Sequence, residues 1–323
     1  MRDRLPIIKN QQLEPGSVAG FTDLSDLFTP RLVIRVIFFP HLFQTVLPTY
    51  TLNTSLLVIG VVSIAIILGV PTAWMLAMYQ VPGSRQLQWA MVLPLAMPGY
   101  IIGYIYTDWF DYAGPLQRAL RYAFEWQSVT DYWFPDMRTL PGACFVLALV
   151  LYPYIYLLTR AAFMEQSVTL THSARLLGCS PLQSFRRISL PLARPAIAVG
   201  ASLVAMEALG DFGTVNYFAV STLTTAVYDT WLSYSSLTAA AKISAIMLVV
   251  IFLLISAERY GRRKQAQFSP SSSSDAIEKT PLYGWRKVGV VAWCWGLLSL
   301  AFILPLLQLM MYAWHYYEKK CRQ

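Results

Sequence analysis

Charge is what this sequence has least of. Only 13% of its 323 residues are Asp, Glu, Lys or Arg, against about a quarter in an average soluble domain. That deficit excludes a surface that mostly faces water. Histidine and cysteine are scarce too. His41, His172 and His315 stand far apart, and Cys144, Cys179, Cys294 and Cys321 show neither metal-ligand nor disulfide spacing. No G-x-x-x-x-G-K-[ST] loop occurs, so any ATP involved is bound by another polypeptide. Paired carboxylates and a Ser-His-Asp set are also missing, which argues against catalysis by this chain.

What is present is apolar sequence, 56% of the chain. About 20 helical residues, at roughly 1.5 Å each, cross a bilayer core. Several runs reach that length without the amphipathic stripe of a soluble core helix, so the fold class is all-α integral membrane with about six spans. The spans are expected at 52–79, 87–106, 142–163, 196–220, 239–257 and 288–314. Pro71 should kink the first, and Pro94, Pro98, Gly99 and Gly103 should make the second irregular. A long polar, aromatic loop covers 107–141.

The net charge of +8 would raise nucleic acid as a partner of a soluble protein. Here its placement matters more. Arg85; Arg160, Arg175, Arg186, Arg187 and Arg194; and Arg259, Arg262, Arg263, Lys264, Lys279, Arg286 and Lys287 lie in segments that alternate with loops holding only Arg118, Arg121 and Arg138. Thirteen against three puts the first set in the cytoplasm. The chain then divides into an extracytoplasmic or interfacial segment, 1–51; a transmembrane domain, 52–257; a cytoplasmic Ser-rich basic linker, 258–287; and a single span, 288–323. Residues 1–30 are polar and carry no signal peptide. Residues 31–48 are apolar but broken by Arg35, Pro40, His41 and Gln44, as in a surface or re-entrant element. On this topology both ends look as though a segment is missing.

One cytoplasmic stretch, SARLLGCSPLQSFRRISLP (173–191), is polar and basic between apolar runs. Gly178 stands where a left-handed terminating residue is wanted. Ser180 suits an N-cap and Pro181 the first helical position. Leu182 and Phe185 share a face with Ser189, while Arg186 and Arg187 point elsewhere. Pro191 should stop this helix, and Pro195 should open the next span. The product is an elbow with a small apolar face rimmed by arginine, suited to a groove on a partner. The alternative is a basic loop that only fixes topology, although topology does not require two capped helices.

The spacing Gly178, nine residues, Ile188, then Leu190-Pro191 resembles the EAA coupling loop of ABC importer permeases. Arg175, Leu177, Gly178, Ile188, Leu190 and Pro191 fit, whereas the opening Glu-Ala-Ala reads His172-Ser173-Ala174. Further stretches, LPLAMPGYIIGYIYTD, WFPDMRTLPGA, LYPYIYLLTRAAF and MEALGDFGTVNYFAV, are similar to iron(III) transport permeases of the type I importer fold. The resemblance runs from about 50 to 310 and covers one half-permease plus a span like the start of a second half. It implies a multi-pass inner-membrane transport subunit, not an enzyme. The expected partners are a cytoplasmic ABC ATPase dimer carrying ATP and Mg, a periplasmic or lipid-anchored substrate-binding protein, a second permease half or second copy, and the lipid bilayer. No cofactor and no nucleic acid is expected on this chain. Another cargo (phosphonate, thiamine or sulfate) or a truncated, non-transporting protein stands as the alternative.

Acids within spans are costly and tend to be functional. Glu207 and Asp211, four apart, share a helical face, beside Gly210 and Gly213, which allow close packing. They are candidates for a cation pathway or, alternatively, for capping a neighbouring helix. Lys242 is a possible partner. Tyr104 and Asp108, with Tyr100, Tyr106 and Asp111, mark the outward end of the second span as pathway or interfacial belt. The acids of 107–141 suit a binding-protein surface or plain solvation.

Overall fold

The computed structural model describes residues 47–126, 128, 131–166, 178–232, 237–263 and 279–321. Residues 1–46 of the expected interfacial segment 1–51, most of the Ser-rich linker, and Arg175 and Leu177 lie outside the described residues, while 47–51 already belong to the first helix.

The first span, α1, is a single helix, Leu47–Met78, apolar on all sides, as a membrane helix should be. It runs unbroken through Pro71, and the Thr72 hydroxyl donates to the Leu68 carbonyl at 2.6 Å. A two-residue strand follows, β1 (Tyr79–Gln80), then a short helix, α2 (Ser84–Ala90), and a 3-10 turn at Leu93–Ala96. The second expected span is broken there. Pro94 and Pro98 cannot donate to a helical ladder, and the chain restarts at α3 (Gly99–Phe110) and α4 (Pro115–Phe124), bent by 90° from what precedes. Two buried tyrosines of the next span, α5 (Leu140–Met164), meet carbonyls at this irregular stretch. Tyr152 donates to Met91 at 3.1 Å and Tyr156 to Gln88 at 3.2 Å.

α1 and α5 form the most extensive helix pair, and Val61, Ala65, Ala148, Leu149 and Ile155 are fully buried in the core it anchors. Glycines permit the approach: a Cβ at Gly69 would lie 3.1 Å from the Tyr152 carbonyl oxygen.

Beyond α5 come α6 (Pro181–Ser184), a π turn at Phe185–Ser189, and α7 (Leu190–Gly210). These three join into one 30-residue helix, Pro181–Gly210. Pro191 therefore does not stop the elbow helix, and Pro195 lies inside α7 instead of opening it. The wide π turn, in which the Leu190 N–H reaches back to the Phe185 carbonyl, is the kind of local adjustment that takes up a proline without ending a helix. The span also ends earlier than expected, at Gly210; α8 (Gly213–Tyr217) and α9 (Leu223–Leu232) follow as separate short helices.

The chain continues as α10 (Leu237–Arg263), β2 (Thr280–Pro281), α11 (Gly284–Leu298), a π turn at Ser299–Ile303, and α12 (Leu304–Cys321). The strands β1 and β2 pair in parallel, Tyr79 with Thr280 and Gln80 with Pro281. The last span is fixed to the others at three levels: Trp293 Nε1 donates to Thr72 Oγ1 at 2.9 Å, Tyr106 to the Leu300 carbonyl in the π turn, and Tyr312 to Asp108. The segment resembling the start of a second half is thus seated in the same bundle.

Among the described residues four helices are long and apolar enough to cross a membrane, and the broken pair makes a fifth. The expected fifth span, 239–257, lies on α10, a helix whose described apolar stretch is Leu237–Leu253 and whose sequence stays apolar to Ala257.

Candidate functional site: the elbow and the outer acids

The strand pair brings the end of α1 and the start of α11 to the same end of the bundle as the elbow, so three basic segments meet there. The elbow's chemistry is largely as the sequence implies. Gly178 has φ +80°, the left-handed region that other residues enter at a cost. Ser180 accepts the Gln183 N–H at 3.3 Å, and the Gln183 side chain accepts the Ser180 N–H at 2.9 Å. This reciprocal capping box satisfies two otherwise orphaned donors, with Pro181 at the first helical position. Gln166 Nε2 donates to the Ser189 carbonyl at 2.9 Å, bracing the elbow against the end of α5.

One expectation changes. Leu182 is 53% exposed, but Phe185 turns inward. Its ring lies 4.7 Å from Trp74 and 6.3 Å from Phe163. The two residues therefore do not present one apolar face. Arg186 and Arg187 are exposed and Ile188 is half-buried. A cavity of about 530 Å³ opens beside Leu182, lined by Trp74, Tyr79, Pro181, Leu282 and Arg286. Gln166, Trp74 and the 280–286 stretch escaped the sequence reading because nothing local links them to the elbow.

At the opposite end Asp211 serves as a cap. Its Oδ1 accepts from the Thr214 N–H at 2.9 Å and the Val215 N–H at 3.1 Å, and its Oδ2 from the Thr214 hydroxyl at 3.0 Å. Its backbone carbonyl accepts from Thr224 at 3.0 Å. Asp211→Ala should therefore cost about 1 kcal/mol, the usual value of a cap, read as a lowered thermal midpoint in detergent. Asp211→Asn keeps an acceptor and should remain stable and transport-competent. An Asn variant that is stable but inactive would show instead that the charge itself is needed.

Glu207 does not join Asp211. It is exposed on α7 within reach of the Tyr154 hydroxyl. Tyr154 lies midway along α5, so this acid sits deep within the span. Gly213 packs against the Tyr100 ring, where a Cβ would fall 3.3 Å from Cδ1, whereas Gly210 has nothing within 4 Å. Tyr104, half exposed, meets Tyr217 and Tyr312 edge-on at 6.2 and 6.1 Å. Tyr312 donates to Asp108, and Arg138 lies over the Tyr217 ring at 5.5 Å. This cluster thus collects tyrosyl and carboxylate oxygens, with the Arg138 guanidinium nearby.

This arrangement of long apolar helices, a broken second span and a capped elbow is a transmembrane domain of the type I ABC importer fold. It aligns with a chain of a bacterial alginate ABC transporter, solved in complex with an alginate pentasaccharide-bound periplasmic protein. The TM-score is 0.57 at 17% identity, over 75% of this chain and 91% of that one. Residues 69–265 match the family of binding-protein-dependent transport system inner membrane components, and the chain belongs to that family. It is accordingly a multi-pass inner-membrane protein.

Its relatives differ in cargo. It is 27% identical over 255 residues to the Fe(3+)-transport system permease protein FbpB 2 of Haemophilus influenzae, covering 79% of this chain and 45% of that protein. It is 27% identical to the sulfate permease CysT of Salmonella typhimurium over 61% of this chain and 72% of CysT. Against the molybdenum permease ModB of Escherichia coli K12 it is 28% identical over 62% of this chain and 90% of ModB. The chain therefore spans less than half the length of its iron-transport relative.

Proposed function

We propose that this chain is the membrane-spanning permease subunit of a binding-protein-dependent ABC importer and that its cargo is iron(III). The observation that carries the transport reading is the capped elbow at the basic end, continuous with a span. A partner that moves Leu182, Arg186 and Arg187 moves a 30-residue helix that also carries Glu207. Closure of a cytoplasmic ATPase dimer, holding ATP and Mg, would tilt this lever and change which side of the membrane the path opens to. Glu207 with Tyr154, and Tyr104 with Asp108, line that path against a second permease half or second copy. A periplasmic or lipid-anchored binding protein delivers cargo to the outer end. The Asp211 carboxylate is engaged in capping and serves the path only through α8.

Two observations support iron. The alignment with the iron relative covers more of this chain than those with the sulfate and molybdenum permeases. Phenolic and carboxylate oxygens at the outer end suit a hard cation. An oxyanion is the second reading, favoured by identities to CysT and ModB of 27% and 28%, no lower than the 27% to the iron relative, and by Arg138 at the same end. Uptake of radiolabelled iron(III), sulfate and molybdate into cells relying on this system decides between them. Iron accumulation is expected. Accumulation of an oxyanion without iron overturns the cargo, and loss of all uptake dependence overturns the importer reading.

A further inference from the structure

Two cations at the basic end, Arg160 and Lys279, lie close enough to influence each other, with no carboxylate paired to either among the described residues. Arg160 lies one turn before the end of α5, and Lys279 stands at the entry to β2. Lys279 Nζ donates to the Leu76 carbonyl at 3.2 Å, near the end of α1, and the Lys279 carbonyl accepts from Gln80 Nε2 at 3.0 Å. Arg160 Nη2 donates to Gln88 Oε1 at 2.6 Å. Its Nε is buried without a hydrogen-bond partner. Both residues are half-buried. Burial, and then the charge of Arg160, hold the Lys279 ammonium below the ordinary lysine range, and no carboxylate among the described residues opposes this. Arg85, exposed, stands one turn before Gln88 and shares its helical face.

Fixing topology requires basic residues near the surface. It does not require two of them drawn together, half-buried, with an N–H left unfilled. Buried donors are nearly always paired, and like charges in a partly dry site repel unless an anion lies between them. The level of the site suggests which anion. It lies near the ends of α1 and α5, and the segments that carry Gln88 and Lys279 also hold the exposed aromatics Trp89, Tyr283 and Trp285, the residue types that settle at headgroup depth. The cytoplasmic leaflet is the one rich in anionic lipid, and basic pockets between spans on that side bind such headgroups.

We propose that Arg160 and Lys279, oriented by Gln88 and Gln80, hold the phosphate of an anionic phospholipid in the cytoplasmic leaflet. The buried Arg160 Nε and the Lys279 ammonium are the donors the phosphate would satisfy. The site adjoins the cavity beside the elbow, which Tyr79, Thr280 and Tyr283 help to line, but Arg160 and Lys279 are not among that cavity's lining residues.

The test uses the full chain in nanodiscs of phosphatidylcholine, with or without phosphatidylglycerol. Retained lipid is measured by mass spectrometry after detergent exchange, and thermal midpoint in parallel. The wild type should retain phosphatidylglycerol in preference to phosphatidylcholine and gain stability from it. Lys279→Gln should weaken that preference about fivefold, the effect of one basic residue near a membrane surface, and Lys279→Arg should restore it. Arg160→Gln should act similarly, but it also breaks the Gln88 contact, so Lys279 is the deciding position. Equal retention of both lipids by the wild type overturns the proposal. So does stabilisation by inorganic phosphate with none from phosphatidylglycerol, which would indicate a soluble ligand. Unchanged lipid retention in Lys279→Gln, with loss of the co-purifying ATPase, would assign the pair to an acidic partner surface and equally overturn it.

Discussion

Gly178→Asp should abolish transport and release the ATPase while leaving the protein in the membrane. Two observations separate those effects. Gly178 has φ +80°, so any side chain there carries a backbone cost of roughly 1–2 kcal/mol. Aspartate is among the residues that best tolerate this region, which keeps the cost at the low end and spares insertion. A Cβ at 178 meets nothing within 4 Å, so no clash arises inside the described bundle. The damage falls on whatever covers the elbow. An added carboxylate on a tight turn that must enter a partner's cleft needs to weaken docking by only about 1.4 kcal/mol to lower occupancy tenfold. The measurements are uptake, ATPase co-purification and the amount of protein in washed membranes. Gly178→Ala, which adds the Cβ without the charge, should fall between the wild type and the aspartate variant. Normal co-purification of ATPase with Gly178→Asp would remove the elbow as the docking element.

The parts of this site legible in the sequence were those decided by neighbouring residues. A glycine, then Ser-Pro with Gln183 completing the box, dictates a left-handed residue and a capped helix within six positions, and the structure has both. The parts that were not legible depend on residues brought together from afar. Leu182 and Phe185 look like one face at helical spacing, but Phe185 packs against the Trp74 and Phe163 rings while Leu182 stays exposed. Glu207 and Asp211 look like a pair at i, i+4, but the helix ends between them and Asp211 turns to cap α8. Proline was ambiguous for the same reason. Pro98 sits at a true break, whereas Pro191 and Pro195 are absorbed into a continuous helix after a π turn. The sequence cue is the same in each case, and packing decides. That the last span packs on the others was not legible either, because nothing local shows Trp293 reaching Thr72 or Tyr312 reaching Asp108.

The second large effect compares two glycines of α7 that composition alone treats as equivalent. A Cβ at Gly200 would lie 2.8 Å from the Ile155 Cα and 3.2 Å from its Cγ1. The first of these is backbone, which cannot rotate away, so Gly200→Leu must push α7 off α5. Overpacking of this kind costs about 1–3 kcal/mol, sometimes more, and here it strikes the helix that carries the elbow's motion. Gly210, ten residues on in the same helix, has nothing within 4 Å, and Gly210→Leu adds apolar surface to an exposed position. The first variant should lose most of its folded protein, seen as aggregation on fluorescence-detected size exclusion and a lower thermal midpoint. The second should behave like the wild type in both assays when the chain is expressed alone. Wild-type behaviour of Gly200→Leu would contradict the α5–α7 packing itself. If Gly210→Leu is harmless alone but inactive in transport, its open face becomes a contact for the second permease half, as the exposure of the neighbouring Glu207 at span depth already implies. A charge facing lipid there would cost several kcal/mol, and a protein or water-lined neighbour removes that cost.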